Sequence, residues 1–243
     1  MVPLLFMAGG DSFVFKQFIV KQNKCAMKVG TDAVLLGSWA DLPLSGQILD
    51  IGAGTGIIAM MLAQRSIAEV DTIEIDKDAY HQAVENCGNC KWKDRLNVHH
   101  ISFQDFVGKK HKKYDAIVTN PPYFSNSLQA STESRTRARH TCELSFEELI
   151  DGIKELLHLK GNFAIILPSK EAEEFIEIAE ENGLYLAKMM RIKTTETKQA
   201  KRVMMQFMFH RKTFSESTLV IENSDHTYTS DYKHLTRDFY LGF

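Results

Sequence analysis

Asn120-Pro121-Pro122-Tyr123 is the stretch of this 243-residue chain whose residue types are most specific to one kind of chemistry. Consecutive prolines fix φ, remove two N–H donors and restrain the residues before them. The Asn120 amide oxygen and the Pro121 carbonyl are left as a rigid pair of acceptors, and Tyr123 offers a ring on which a flat group can stack. Two acceptors suit an –NH2 on a planar group, whose lone pair is delocalised and therefore a poor nucleophile. Holding both hydrogens favours a more tetrahedral nitrogen and aims its lone pair at an electrophilic methyl. Asparagine cannot take up a proton at accessible pH, so its contribution is positioning and polarisation.

A second group lies upstream. In Asp50-Ile51-Gly52-Ala53-Gly54-Thr55-Gly56, glycine at alternate positions lets the backbone turn tightly and approach a ligand without an intervening Cβ. The spacing is G-x-G-x-G rather than the dinucleotide G-x-G-x-x-G, and Asp50 in front of it would repel a pyrophosphate but can orient an ammonium group. Glu74, twenty residues after Gly54, is placed to take both hydroxyls of a ribose. Asp76 reads as a helix cap. Further on, Asp105 can accept a bond from an adenine amine, with Phe106 as a wall for its ring. Thr31 and Asp32 can cap a helix running to Trp39, placing polar groups at the same site.

These residues need a scaffold that delivers them to one edge. Apolar runs at Gln47–Ile51, Glu69–Ile75, Leu96–Ile101, Tyr114–Thr119 and Asn162–Leu167 read as strands buried on both faces. Ile57–Gln64, Asp78–Asn86, Phe146–Leu157 and Lys170–Glu181 carry helical periodicity between them. The alternation predicts an α/β doubly wound sheet with right-handed crossovers and helices on both faces. Leu184–Ile192 and Val203–Phe209 have hairpin spacing, so the last core strand is expected antiparallel. Phe13, Phe15 and Phe18 read as a core-facing cover.

In this order, Asp50–Gly56, Glu74, Asp105 and Asn120–Tyr123 resemble the class I methyltransferases dependent on S-adenosylmethionine (SAM), of the amino-methylating N-P-P-Y kind. Phe13–Phe18, Met27–Gly37, Arg135-x-Arg137-x-Arg139-His140 and the ending Tyr228-Thr229…Tyr232…Leu235-Thr236…Asp238-Phe239-Tyr240 are similar to bacterial tRNA adenine N6-methyltransferases acting at position 37 of valine tRNA 1. The resemblance implies a Rossmann-like, seven-stranded, mostly parallel sheet, a monomer, SAM as cofactor and a tRNA anticodon arm as substrate. Residues 1–45 are expected to form a cover, 46–212 the SAM-binding catalytic core, and 213–243 an extension packed on it, together one methyltransferase domain.

Composition sets the bounds. With 44% hydrophobic and 25% charged residues the chain is that of a soluble globular protein, and the net charge of −2 argues for no partner by itself. Basic residues nevertheless cluster: Lys109, Lys110, Lys112, Lys113, Arg135, Arg137 and Arg139 face only Asp115 and Glu133 between positions 109 and 140. Arg135, Arg137 and Arg139 follow the N-P-P-Y motif closely. Lys198, Lys201 and Arg202 fall in the hairpin loop, on the same expected edge, so both triplets are candidate RNA-binding groups. The apolar start lacks a basic n-region, and the longest apolar run, Ile57–Ala63, is far too short to span a membrane, which points to the cytoplasm. Cys87 and Cys90 form a lone C-x-x-C with no second pair, so no metal site is expected. The nearest rival is a protein glutamine N5-methyltransferase, whose carboxamide is also planar. A protein binding SAM or RNA without catalysis would not need the acceptor pair.

Overall fold

The computed structural model describes residues 10–109, 112–121 and 144–243. Pro122, Tyr123, Arg135, Arg137, Arg139, Lys110 and Cys142 lie outside the described residues.

The chain opens with a short antiparallel hairpin, β1 (Ser12–Val14) and β2 (Ile19–Lys21), followed by α1 (Thr31–Trp39). Phe15 and Phe18 are buried, and the Phe15 ring lies 4.7 Å from Phe13 and 4.8 Å from Phe18, the core-facing cover expected of them. The α/β alternation then runs β3 (Gln47–Ile51), α2 (Ile57–Arg65), β4 (Glu69–Glu74), α3 (Lys77–Gly88), β5 (Leu96–His100), α4 (Phe103–Gly108), β6 (Tyr114–Thr119), α5 (Phe146–Leu156), β7 (Leu157–Pro168) and α6 (Ser169–Glu181). It ends with β8 (Tyr185–Thr195), β9 (Arg202–Met208), β10 (Ser215–Glu222) and α7 (Ser230–Thr236).

Local chemistry explains the boundaries. Asp76 caps α3 through a 2.8 Å bond from the Ala79 N–H, as expected. Ser145 and Glu148 form a reciprocal capping box at the start of α5. α2 is buried on all sides from Ile57 to Ala63, which is why its sequence is apolar without periodicity.

Eight strands join in the order β10-β8-β9-β7-β6-β3-β4-β5 among the described residues, and only β9 runs against its neighbours. The seven from β3 to β9 match the expected sheet, with the last core strand antiparallel. The eighth, β10, comes from the C-terminal segment and was not expected as a strand. It pairs parallel to β8 from Ser215 opposite Lys188 to Glu222 opposite Thr195, occupying a row of backbone donors and acceptors that would otherwise be open. One apolar layer holds α1, α2 and α3 residues such as Leu35, Met60 and Cys87 against the sheet; the other holds α4, α5 and α6 residues such as Phe103, Ile153 and Phe175.

Candidate active site

Strand register alone assembles the core of the site. Ile51 pairs with Ile73 on one side and Thr119 on the other, so Gly52, Glu74 and Asn120 stand in one row, each a residue beyond that line. Thr119 Oγ1 donates to the Ile51 carbonyl at 2.8 Å and locks the two strand ends together. Neighbouring strands lie roughly 4.8 Å apart, so Asn120 and Glu74 are about two spacings, or ~10 Å, from each other across the glycine loop. Strand order reverses between β3 and β6, and open α/β sheets bind ligands at such a switch point. The cleft therefore falls between the glycine loop and Asn120. Asn120 is half-buried and Pro121 buried.

The three loop glycines have separate tasks. All sit at positive φ, 86° at Gly52, 52° at Gly54 and 79° at Gly56. A Cβ at Gly52 or Gly54 would meet nothing within 4 Å, which leaves open space on the cleft side. A Cβ at Gly56 would meet Cys87 Sγ at 3.1 Å and the Ala83 Cα at 3.4 Å, so the close packing of α3 requires a glycine here.

Glu74 is pre-set. Its Oε2 accepts the Gly54 N–H at 2.8 Å and its Oε1 the Asp76 N–H at 2.9 Å, leaving a further lone pair on each oxygen for a diol. Asp50 lies beneath the loop, wholly buried. Its Oδ2 accepts from Thr72 Oγ1 at 2.9 Å, while Oδ1 has no hydrogen-bond partner. Burial pushes the Asp50 carboxyl up to about 7; the Thr72 bond and the Ala59 backbone oppose this and the Glu74 charge adds to it.

Two expectations need correction. α1 does start at Thr31, but its N-cap is Gly30 and no side chain caps it. Asp32 turns instead to Arg202, whose Nε donates to Asp32 Oδ2 at 2.9 Å, because β9 begins beside the start of α1. Arg202 is thus engaged within the fold, while Lys198 and Lys201 are exposed on the turn before it. That turn is at the carboxyl edge, since Arg202 pairs with Pro168 at the end of β7 and Ser169 N donates to the Lys201 carbonyl at 3.2 Å. The basic cluster also divides. Lys112 and Lys113 precede β6 and so lie at the amino edge, away from the cleft. There Lys112 bridges Asp71 at 3.0 Å and bonds the Gln47 side chain, and Lys113 reaches the Lys154 carbonyl at 3.5 Å.

Asp105 belongs to the first turn of α4 and accepts from Ser102 Oγ at 2.7 Å; it is exposed. Phe106 is buried in the apolar layer on that side, its ring 5.8 Å from His99 and 6.4 Å from Tyr114. Cys87 and Cys90 are buried free thiols, and among the described residues no group of three or more His, Cys, Asp or Glu is placed to hold a metal ion. Sequence reading missed Gln82 and Asn86, buried amides on α3 that bond to the segment entering α1. A polar pair one turn apart on the inner face of a helix was the available signal.

A glycine loop under a carboxylate-tipped second strand, facing an Asn-Pro across the switch point, defines a class I methyltransferase fold. Residues 25–182 match the model of the methyltransferase small domain family. A tRNA1(Val) (adenine(37)-N6)-methyltransferase of Flavobacterium psychrophilum is 46% identical over 233 residues, covering 94% of this chain and 99% of that one. Proteins of the same description from Bacteroides fragilis and Trichodesmium erythraeum are 44% and 42% identical, covering 94% and 97% of this chain and 97% and 100% of theirs. Among solved structures, a protein of Agrobacterium tumefaciens described as a predicted O-methyltransferase superposes with a TM-score of 0.67 at 19% identity, covering 86% of this chain and 96% of that one. A glycopeptide N-methyltransferase in complex with SAM gives 0.55 at 12% identity, covering 76% of this chain and 96% of that one; both likenesses concern the fold. The chain belongs to the tRNA1(Val) (adenine(37)-N6)-methyltransferase family, within the methyltransferase small domain proteins.

Proposed function

We propose that this protein transfers the methyl group of SAM to N6 of the adenine at position 37 of valine tRNA 1, working as a monomer in the cytoplasm. The observation that carries the reading is the row Gly52–Glu74–Asn120, which sets a cofactor cradle and an amine-holding group side by side at the switch point. The cradle fits SAM: open space lies over Gly52 and Gly54, Glu74 keeps acceptor capacity for a ribose, and an unpartnered carboxylate oxygen of Asp50 lies beneath the loop. When bound, SAM supplies an electrophilic methyl on a sulfonium. Asn120 accepts one N6 hydrogen and the Pro121 carbonyl the other, which points the nitrogen lone pair into the cleft. No acid or base is required of either, because the methylated nitrogen loses its proton to water. Asp105 is the group for the cofactor's adenine amine and Tyr123 the stacking ring for the target base. Arg135, Arg137, Arg139, Lys198 and Lys201 hold phosphates of the anticodon arm. No helix among the described residues is long and apolar enough to cross a membrane.

The test is methylation of an unmodified valine tRNA 1 transcript with labelled SAM, followed by nucleoside mass spectrometry. N6-methyladenosine is expected from the transcript and is lost when position 37 carries guanine. Label in another nucleoside, or in protein glutamine, would overturn the assignment.

A further inference from the structure

Asn86 makes three hydrogen bonds with one buried amide. Its Oδ1 accepts the Lys21 N–H at 2.9 Å, and its Nδ2 donates to the Lys21 carbonyl and the Thr55 carbonyl, each at 2.8 Å. Thr55 lies between Gly54 and Gly56, and Lys21 ends β2, so one side chain joins the glycine loop to the segment that crosses toward α1. One helical turn earlier, the wholly buried Gln82 accepts the Lys24 N–H at 3.2 Å but makes no bond to the loop. Gln22, also buried, accepts the Val29 N–H and donates to the Gly10 carbonyl, each at 2.9 Å, which folds residues 22–29 back on the hairpin. The bridges from Lys21 and Lys24 to Glu85 are exposed and contribute little. Cys25, within this segment, lies near the Glu74 and Asp76 carboxylates.

We infer that Asn86 is a positioning residue that sets the glycine loop and residues 21–29 in register, making that segment the outer wall of the cofactor cleft. This rests on the cofactor assignment made above. The reason for the device is physical. Glycines at 52, 54 and 56 leave the loop more backbone freedom than other residues would, and that freedom must be removed for a cradle to exist before its ligand arrives. A bond from Nδ2 to the Thr55 carbonyl fixes the peptide plane between two of those glycines. The remaining bonds pass the same constraint to the wall.

Calorimetry with S-adenosylhomocysteine, well below the unfolding temperature of each variant, separates positioning from bulk stability. Asn86→Ala is expected to weaken binding ~tenfold or more, through the loss of two donor bonds and one acceptor bond at the cradle. Its kcat at saturating SAM should stay within about threefold, since Asn86 does not touch the substrate. Gln82→Ala, which releases the wall at Lys24 but leaves the glycine loop untouched, should lower stability and weaken binding less than Asn86→Ala does. Equal affinity in Asn86→Ala and the parent protein, or an equal loss in Gln82→Ala, overturns the inference. If the parent protein itself does not bind, the cofactor assignment fails instead. Hydrogen exchange on the parent protein tests the same point without a variant. Ligand should slow exchange in residues 19–30 and 52–57 together, and slowing confined to 52–57 removes the segment from the cleft.

Discussion

Glu74 and Gly54, twenty residues apart, are joined by a 2.8 Å bond from the glycine N–H to the carboxylate, so the acid that would hold a ribose also holds the loop that cradles the ligand. Glu74→Ala removes both effects. Cofactor affinity should fall about ten- to hundredfold, or roughly 1.5–3 kcal/mol. Glu74→Gln should recover little of it, because an amide that offers its oxygen to Gly54 turns its –NH2 toward the Asp76 N–H. Unchanged affinity in the alanine variant by calorimetry would remove Glu74 from the site.

Asp50 makes stability depend on pH. Its carboxyl titrates at about 7 in the folded protein because it is buried, against roughly 3.9 in an unfolded chain. Between about pH 4 and 7 the native state therefore binds the extra proton, so this group's contribution to stability falls as pH rises and is flat above the window. The effect is on the order of 4 kcal/mol at most. Asp50→Asn keeps an acceptor for Thr72 and has no such dependence. The variant's melting temperature relative to the parent should be more favourable at pH 8 than at pH 5. An equal difference at both pH values would show that Asp50 stays ionised.

Arg202 and its neighbours on the same turn should behave differently. Arg202→Ala breaks the ion pair with Asp32, costing about 1 kcal/mol and ~2–4 °C in Tm. Replacing Lys198 and Lys201 with alanine should leave Tm alone but weaken tRNA binding and flatten its salt dependence. A flattened salt slope in Arg202→Ala with no change in Tm would mean that Arg202 faces RNA in the complex.

Asn120→Ala removes one preorganised acceptor, a loss worth about 10²–10³ in kcat at comparable sites. Affinity for SAM should hardly move, and Asn120→Asp, which keeps an acceptor of the same shape, should retain part of the rate. Single-turnover methylation of tRNA reads this directly; full activity in Asn120→Ala would sink the amine-positioning role.

Much of this geometry was legible because parallel strands buried on both faces are short and apolar. Gln47–Ile51 and Tyr114–Thr119 match residue for residue, and the glycine loop and Asn120 follow from where those strands stop. β7 is longer than Asn162–Leu167, since Leu157 also pairs with Tyr114 ahead of a register shift, and the extra residues there include His158, Leu159 and Lys160, exposed and with no apolar pattern. β10 escaped notice for a related reason: Ser215-Glu216-Ser217-Thr218 is exposed and has no apolar pattern, and it is held by backbone pairing with β8 together with an exposed ion pair from Arg191 to Glu216. The Asp32–Arg202 and Asn86–Thr55 contacts join segments 170 and 31 residues apart, which local propensity cannot pair. Asp32 looked like a cap because its type suits one, but an arginine facing it across the fold is the stronger partner for a carboxylate.

The hairpin that carries the 21–29 segment leans on the far end of the chain. Lys16 N–H donates to the Phe239 carbonyl at 2.8 Å, Lys16 Nζ reaches the Arg237 carbonyl 221 residues away, and the Phe15 ring stacks 5.8 Å from Tyr240. During synthesis these contacts cannot form until residue 240 has left the ribosome, long after the glycine loop and Glu74 have emerged. A nascent chain can thus build its central sheet early yet lack the support behind one wall of its cleft, and the timing of translation delays the finished pocket until residue 240 is clear of the ribosome.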